Sequence, residues 1–163
     1  MGPLRHALEP TAEILELPSA YGRATSTLDW PSVRERLEKA ERYWLAATRP
    51  DGRPHVIPID GIWLDDVWYF GGAPETVHQR SVKENPSVVR HLEDPMKAVI
   101  VEGDAEWLTP SPEVGTRLSE ASKAKYGYAP SPEDYSAGVW GLRPRRVLAW
   151  NSFPKDATRF VFA

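Results

Sequence analysis

The sequence contains no cysteine. That absence excludes disulfides, thiolate nucleophiles and cysteine-held metals, and it fits a cytoplasmic setting. No apolar run approaches the roughly 20 residues needed to span a bilayer, so no membrane partner is expected. The opening residues, MGPLRHALEPTAEILELP, lack the apolar stretch of a secretory signal. Positive charge is also short. A formal net charge of -3 argues against a general nucleic-acid binder. The chain carries no GxSxG nucleophile element, no GxGxxG, no GxxxxGK[ST] and no HExxH. Its histidines, His6, His55, His78 and His91, form no short paired motif, so no metal site is expected. Glu102 with Asp104, and Glu133 with Asp134, read as solvated faces rather than a glycosidase pair.

What is present is a globular composition: 26% charged and 41% hydrophobic over 163 residues, enough for one domain with its own core. The 7 tryptophans can fill a core, line a groove or cover an interface. The 16 prolines punctuate the strands. Residues 1–28 show no sustained periodicity and are expected to form an extended or partly ordered arm. Residues 29–163 form the domain. A helix is expected to start near Asp29, with Asp29 or a neighbour as N-cap, Pro31 in its first turn and Val33, Leu37 and Ala40 on one face. Glu35 and Lys39 add an i,i+4 pair.

Strands then follow: Tyr43–Thr48, the tight turn Arg49-Pro50-Asp51-Gly52, and Arg53–Leu64, whose Pro54 and Pro58 demand an edge, a bulge or an interruption. Asp65-Asp66 turns the chain into Val67–Gly72, completing an antiparallel meander. Further strands are expected at Ser87–Leu92, Lys97–Leu108, Val139–Asn151 and Thr158–Phe162. Thr109 or Ser111 caps a helix that ends at Gly127. Six or seven mostly antiparallel strands with about three connecting helices predict a mainly β (α+β) fold, a small barrel.

The stretch Val67–Pro86, VWYFGGAPETVHQRSVKENP, has the most chemical content. A strand runs into Gly71-Gly72, where a backbone can approach a ligand closely. A helix is expected over Pro74–Glu84. It places Thr76, His78, Arg80 and Lys83 on or near a helix whose N-terminus, with hydroxyl and cationic side chains nearby, favours an anion. The alternative is an ordinary strand-to-helix corner with solvated charges. Arg143-Pro144-Arg145-Arg146 offers a second basic edge.

Several segments agree in order with one family. TRPDGRPHVIPIDGIWLDDVWYFGGAPET (48–76), ENPSVVRHLED (84–94), VIVEGDAEWL (99–108) and RPRRVLAW with ATRF (143–150 and 157–160) resemble the pyridoxamine 5'-phosphate oxidase-like split β-barrel flavoproteins. The resemblance spans about residues 30–162 and implies a split barrel. It also implies a homodimer with cofactor sites between subunits, and either FMN or the deazaflavin coenzyme F-420. Carried over by position, Val56, Pro58, Ile59, Asp60 and Gly61 run beside the cofactor ring, and Phe70, Gly71 and Gly72 flank it. Thr76, His78, Arg80 and Lys83 become phosphate candidates, and Trp150 and Arg159 come from the partner. The chain departs from the family where Val77 follows Thr76 and where Ser81-Val82 replaces an Asn-Leu pair. The implied activity is hydride transfer between cofactor and a small organic substrate, with no obligatory side-chain acid or base. The loop Gly127–Ser136 is expected to shape the substrate groove. The competing expectation is a non-catalytic cofactor- or haem-binding protein of the same fold.

Overall fold

A computed structural model describes residues 9–163. The part of the arm before Glu9, with His6, lies outside the described residues. Among the described residues, nine strands form one antiparallel system with four α-helices around it. The strands are β1 (Thr11–Ile14), β2 (Tyr43–Thr48), β3 (Pro54–Ile59), β4 (Ile62–Leu64), β5 (Val67–Phe70), β6 (Ser87–His91), β7 (Val99–Leu108), β8 (Val139–Ala149) and β9 (Thr158–Val161). The helices are α1 (Trp30–Lys39), α2 (Val77–Glu84), α3 (Pro112–Tyr126) and α4 (Pro132–Ala137). Two strands exceed the sequence expectation for separate reasons. Thr11–Ile14, within the arm, pairs with β9 at the sheet edge. Arg53–Leu64 is broken at Asp60-Gly61 into β3 and β4.

The main path runs β1-β9-β8-β7-β6-β2-β3. A second branch leaves it at β8, which pairs with β5 over Trp140–Leu142 and with β9 over Arg146–Ala149. The strand can serve two branches because it is bulged between them. The β7·β8 register slips between Glu102 and Gly103, with Gly103 opposite Pro144. Proline cannot donate to a ladder, so the extra residue falls where the donor is missing. Gly103 lacks a Cβ because one there would overlap the Arg143 carbonyl. The expected meander is corrected here. β2–β3 and β4–β5 are each antiparallel hairpins, but β5 goes to β8 instead of continuing from β3. Asp65 and Asp66, both at positive φ (50° and 58°), make the tight β4–β5 turn.

Helix α1 starts where expected: the Asp29 carboxylate accepts from Ser32 N at 2.9 Å. It buries Trp30, Val33 and Leu37. Trp30 meets Phe160, Phe162 and Trp63 with ring centroids 5.1–6.1 Å apart. Burying the Val33 and Leu37 side chains stabilises by roughly 1.5–3 kcal/mol each. A second, smaller core joins Ile62, Val67, Tyr69 and Val139 to Leu118 of α3 and Tyr135 of α4. It fixes the α3–α4 pair against the β4–β5–β8 branch and leaves a cleft at their upper edge. Helix α3 is capped by Ser111 and ends at Gly127, φ 78°.

Candidate functional site

The cleft forms where β3 stops. Its floor is the Asp60-Gly61 break, and residues remote in sequence hold that break open. Tyr126, the last residue of α3, accepts from Gly61 N at 3.0 Å and donates to Glu41 O at 2.6 Å. Beneath Gly61 lies Arg90 of β6, fully buried. Its guanidinium sits over the Trp68, Tyr43 and Phe70 rings at 4.3, 4.9 and 5.2 Å, and Nη2 donates to Asp60 O at 3.4 Å. Burial pulls it down to about 9. It faces no carboxylate among the described residues, and the three ring faces carry the electrostatic compensation. Gly61 is required because a Cβ there would lie 2.7 Å from Arg90 Nη2 and 2.8 Å from Tyr69 O.

The Asp60 side chain turns outward. Oδ1 pairs with Arg42 Nη1 at 2.5 Å, and Oδ2 accepts from the Tyr128 hydroxyl at 2.6 Å. That hydrogen bond to a carboxylate pushes the Tyr128 hydroxyl up. Tyr128 belongs to the loop after α3, so this bond ties the loop to the end of β3 across one side of the cleft.

Opposite, β5 ends at Phe70 and the chain passes through Gly71-Gly72 to α2. Pro74 does not enter the helix. It lies in the turn before it, and Thr76 is the N-cap, accepting from Gln79 N at 3.4 Å and donating to Ala73 O at 2.8 Å. His78 is buried, and its Nε2–H donates to the Gly71 carbonyl at 3.1 Å. Gly72 has φ 133°, and a Cβ there would meet His78 Nε2 at 2.6 Å. A Cβ on Gly71 would meet nothing within 4 Å, which leaves that backbone edge open to the cleft. The Gln79 amide nitrogen is buried without a partner at the same wall.

The cleft encloses about 650 Å³. Among the sequence-chosen residues, Pro58, Ile59, Asp60, Gly61, Phe70, Gly71, Gly72 and His78 line it. The others do not. Val56 projects from β3 at 52% exposure. Thr76 spends its hydroxyl on the helix cap. Arg80 and Lys83 are exposed on α2, with no ion pair among the described residues. Trp150 packs on Phe153, 5.2 Å between centroids, and Arg159 pairs with Glu13 at 2.7 Å. The remaining wall, which sequence reasoning missed, is aromatic. Trp107 and Trp140 lie opposite each other in the β7·β8 register, 5.4 Å apart edge to face, and Tyr126, Tyr128 and Tyr135 complete it. The expected groove loop supplies Tyr128, Pro130, Asp134 and Tyr135. Among the described residues, the acidic side chains of the lining are Asp60 and Asp134, and no lysine or arginine lines it. Among the described residues, no helix is long and apolar enough to cross a membrane.

Comparison with known proteins agrees with this architecture. The pyridoxamine 5'-phosphate oxidase family model matches residues 30–151. The conserved hypothetical protein Rv2991 from Mycobacterium tuberculosis superposes with a TM-score of 0.63 at 20% identity, covering 78% of this chain and 88% of that one. An F420 reductase matches at 27% identity and a TM-score of 0.54, covering 70% of this chain and 94% of that one. HutZ, the haem storage protein from Vibrio cholerae, shares the fold at 17% identity and a TM-score of 0.54, over 71% and 89% of the two chains. No curated protein sequence matches. A match over residues 30–151, together with a split sheet whose cleft opens at the β3 and β5 ends, means that this chain belongs to the pyridoxamine 5'-phosphate oxidase-like split β-barrel family.

Proposed function

We propose that the chain is an oxidoreductase that uses a deazaflavin, coenzyme F-420, or FMN, and exchanges hydride with a small organic substrate in this cleft. The observation that carries the reading is the unpartnered Gln79 amide, buried in a wall of aromatic faces and open backbone. A buried donor without an acceptor costs about 1–3 kcal/mol, and a carbonyl-bearing planar ligand would relieve that cost. The residues therefore fit the ring part of such a cofactor. Gly71 leaves its edge free, and the Phe70, Trp107 and Trp140 rings offer faces. The cationic part of the fit lies outside the cleft, at Arg80 and Lys83 on α2. The 27% identical F420 reductase supports the deazaflavin as first choice.

A bound flavin or deazaflavin supplies the hydride chemistry. The chain's own work is binding, orientation and exclusion of water. Gln79 would donate to a ring acceptor. Trp107, Trp140 and Tyr135 would shield the reacting face. Asp60, held by Arg42 and Tyr128, would keep the loop over the cleft. The assembly we propose is a homodimer in which Trp150 and Arg159 reach the partner's site. Arg159 would then exchange its Glu13 pairing for that contact.

Mixing purified protein with reduced F-420 and, separately, reduced FMN, in the presence of a panel of small quinone and enone acceptors, tests the activity. Acceptor-dependent reoxidation of one cofactor by the wild type, lowered in Gln79→Leu, is the expected result. A Soret shift on adding haem, with no response to either flavin, would replace this reading by the haem-binding one. Light scattering should return the dimer mass.

A further inference from the structure

A second cavity of about 500 Å³ shares Ile62 with the cleft. Its walls are Ile62, Trp63, Ala121 and Ala124, and its ionisable residues are Lys125, Lys39, Glu38 and Glu41. The two lysines differ. Lys39 is exposed and paired with Glu35 at 2.6 Å. Lys125 is half-buried and, among the described residues, has no carboxylate within ion-pair distance. Its Nζ donates to two neutral acceptors, Ala40 O and Tyr43 Oη, each at 2.8 Å. Those two bonds use two of the three ammonium protons. A neutral amine can keep both and still present a lone pair.

We propose that Lys125 is a nucleophilic amine, and that this second cavity is a site of covalent, reversible modification by small aromatic or apolar aldehydes. In the step, the Lys125 nitrogen attacks the carbonyl carbon, the C=O π bond becomes C–O, and one N–H proton moves to that oxygen. Loss of water then leaves the imine. The nitrogen lone pair expels the hydroxyl, which leaves as water with the remaining N–H proton carried through solvent. The apolar part of the lining, Ile62, Trp63, Ala121 and Ala124, selects an uncharged body, and the two lining acids, Glu38 and Glu41, repel anions. Several facing groups set the state of the amine. Burial and Arg90 of β6 pull Lys125 down, to about 8, while Glu38 of α1 and Glu41 before β2 act the other way. Lysines in desolvated sites become nucleophiles by this route. The inference is independent of which cofactor the first cleft takes.

The test is benzaldehyde with cyanoborohydride on the full chain, followed by peptide mapping by mass spectrometry from pH 6 to pH 10. The reductant converts the imine to a stable secondary amine. At pH 8, Lys125 should label at least about tenfold faster than the exposed lysines, because a far larger fraction of it is neutral. Its rate should reach half-maximum near its own pKa. Ala124→Leu, which narrows the cavity without touching the amine, should lower Lys125 labelling and leave Lys123 unchanged. Even labelling over Lys39, Lys83, Lys97, Lys123 and Lys155 would overturn the proposal. So would a Lys125 rate that Ala124→Leu does not change.

Discussion

Gly61 shows how much one missing side chain decides. It lies between the Arg90 guanidinium below and the Tyr69 carbonyl beside it, and Tyr126 binds its backbone. Gly61→Ala should destabilise the protein by about 1–3 kcal/mol through overpacking, since neither the buried arginine nor a strand carbonyl can move freely. Urea unfolding measures it, and a change under about 0.5 kcal/mol would show that the floor of the cleft is softer than described. Arg80 is the converse case. It is exposed and makes no ion pair among the described residues, so Arg80→Ala should leave stability unchanged. If Arg80 meets the cofactor phosphate in a charge-assisted bond, the same change should weaken F-420 affinity by about 1–3 kcal/mol, read by fluorescence titration. Unaltered affinity would place the phosphate elsewhere.

At the scale of elements, two glycines make a matched pair. Gly103 permits the β7·β8 bulge, where a Cβ would overlap the Arg143 carbonyl, whereas Gly127 ends α3 at φ 78° with open space around it. Gly103→Ala should therefore cost more than Gly127→Ala, about 3 kcal/mol or more against about 1. Thermal melts of the two variants should separate accordingly, and equal shifts would contradict the bulge account.

Most elements were legible because their signals are local. Asp29, Ser111 and Gly127 cap helices by chemistry within three or four residues of themselves. The division of Arg53–Leu64 was not legible, because a tyrosine 65 residues away and an arginine 30 residues away impose it. Pro74 misled for a local reason: Thr76 is the better cap and shortens α2. The half of the cleft built from β3 and β5 ends could be read from its glycines and prolines. The aromatic half could not, since Trp107 and Trp140 meet only through a register that the bulge shifts.

For the whole molecule, buried ionisable groups set a pH dependence. Lys125 is depressed to about 8 by burial, against an ordinary value of 10.5. Between those values the unfolded chain binds more protons, so the lysine's contribution to stability rises with pH across that window. Tyr43 and Tyr69 are pushed up by burial, so their contribution is present below about pH 10 and is lost above it. Stability should climb above pH 8 and turn over above about pH 10. Comparing wild type with Lys125→Met isolates the lysine: the wild type should gain on the variant from pH 8 to pH 10. A constant difference would mean that the Lys125 amine titrates normally.

The central claim is that the cleft between the β3 and β5 ends takes a planar redox cofactor, with Gln79 as its buried donor. Equilibrium titration of oxidised F-420 and of FMN into purified wild-type protein and Gln79→Leu, followed by the cofactor's own absorbance and fluorescence, tests it most directly. The account predicts saturable binding of one cofactor at one site per chain, weakened about tenfold or more in Gln79→Leu by loss of a buried hydrogen bond. No spectral change with either cofactor, or equal affinity in both proteins, would contradict it.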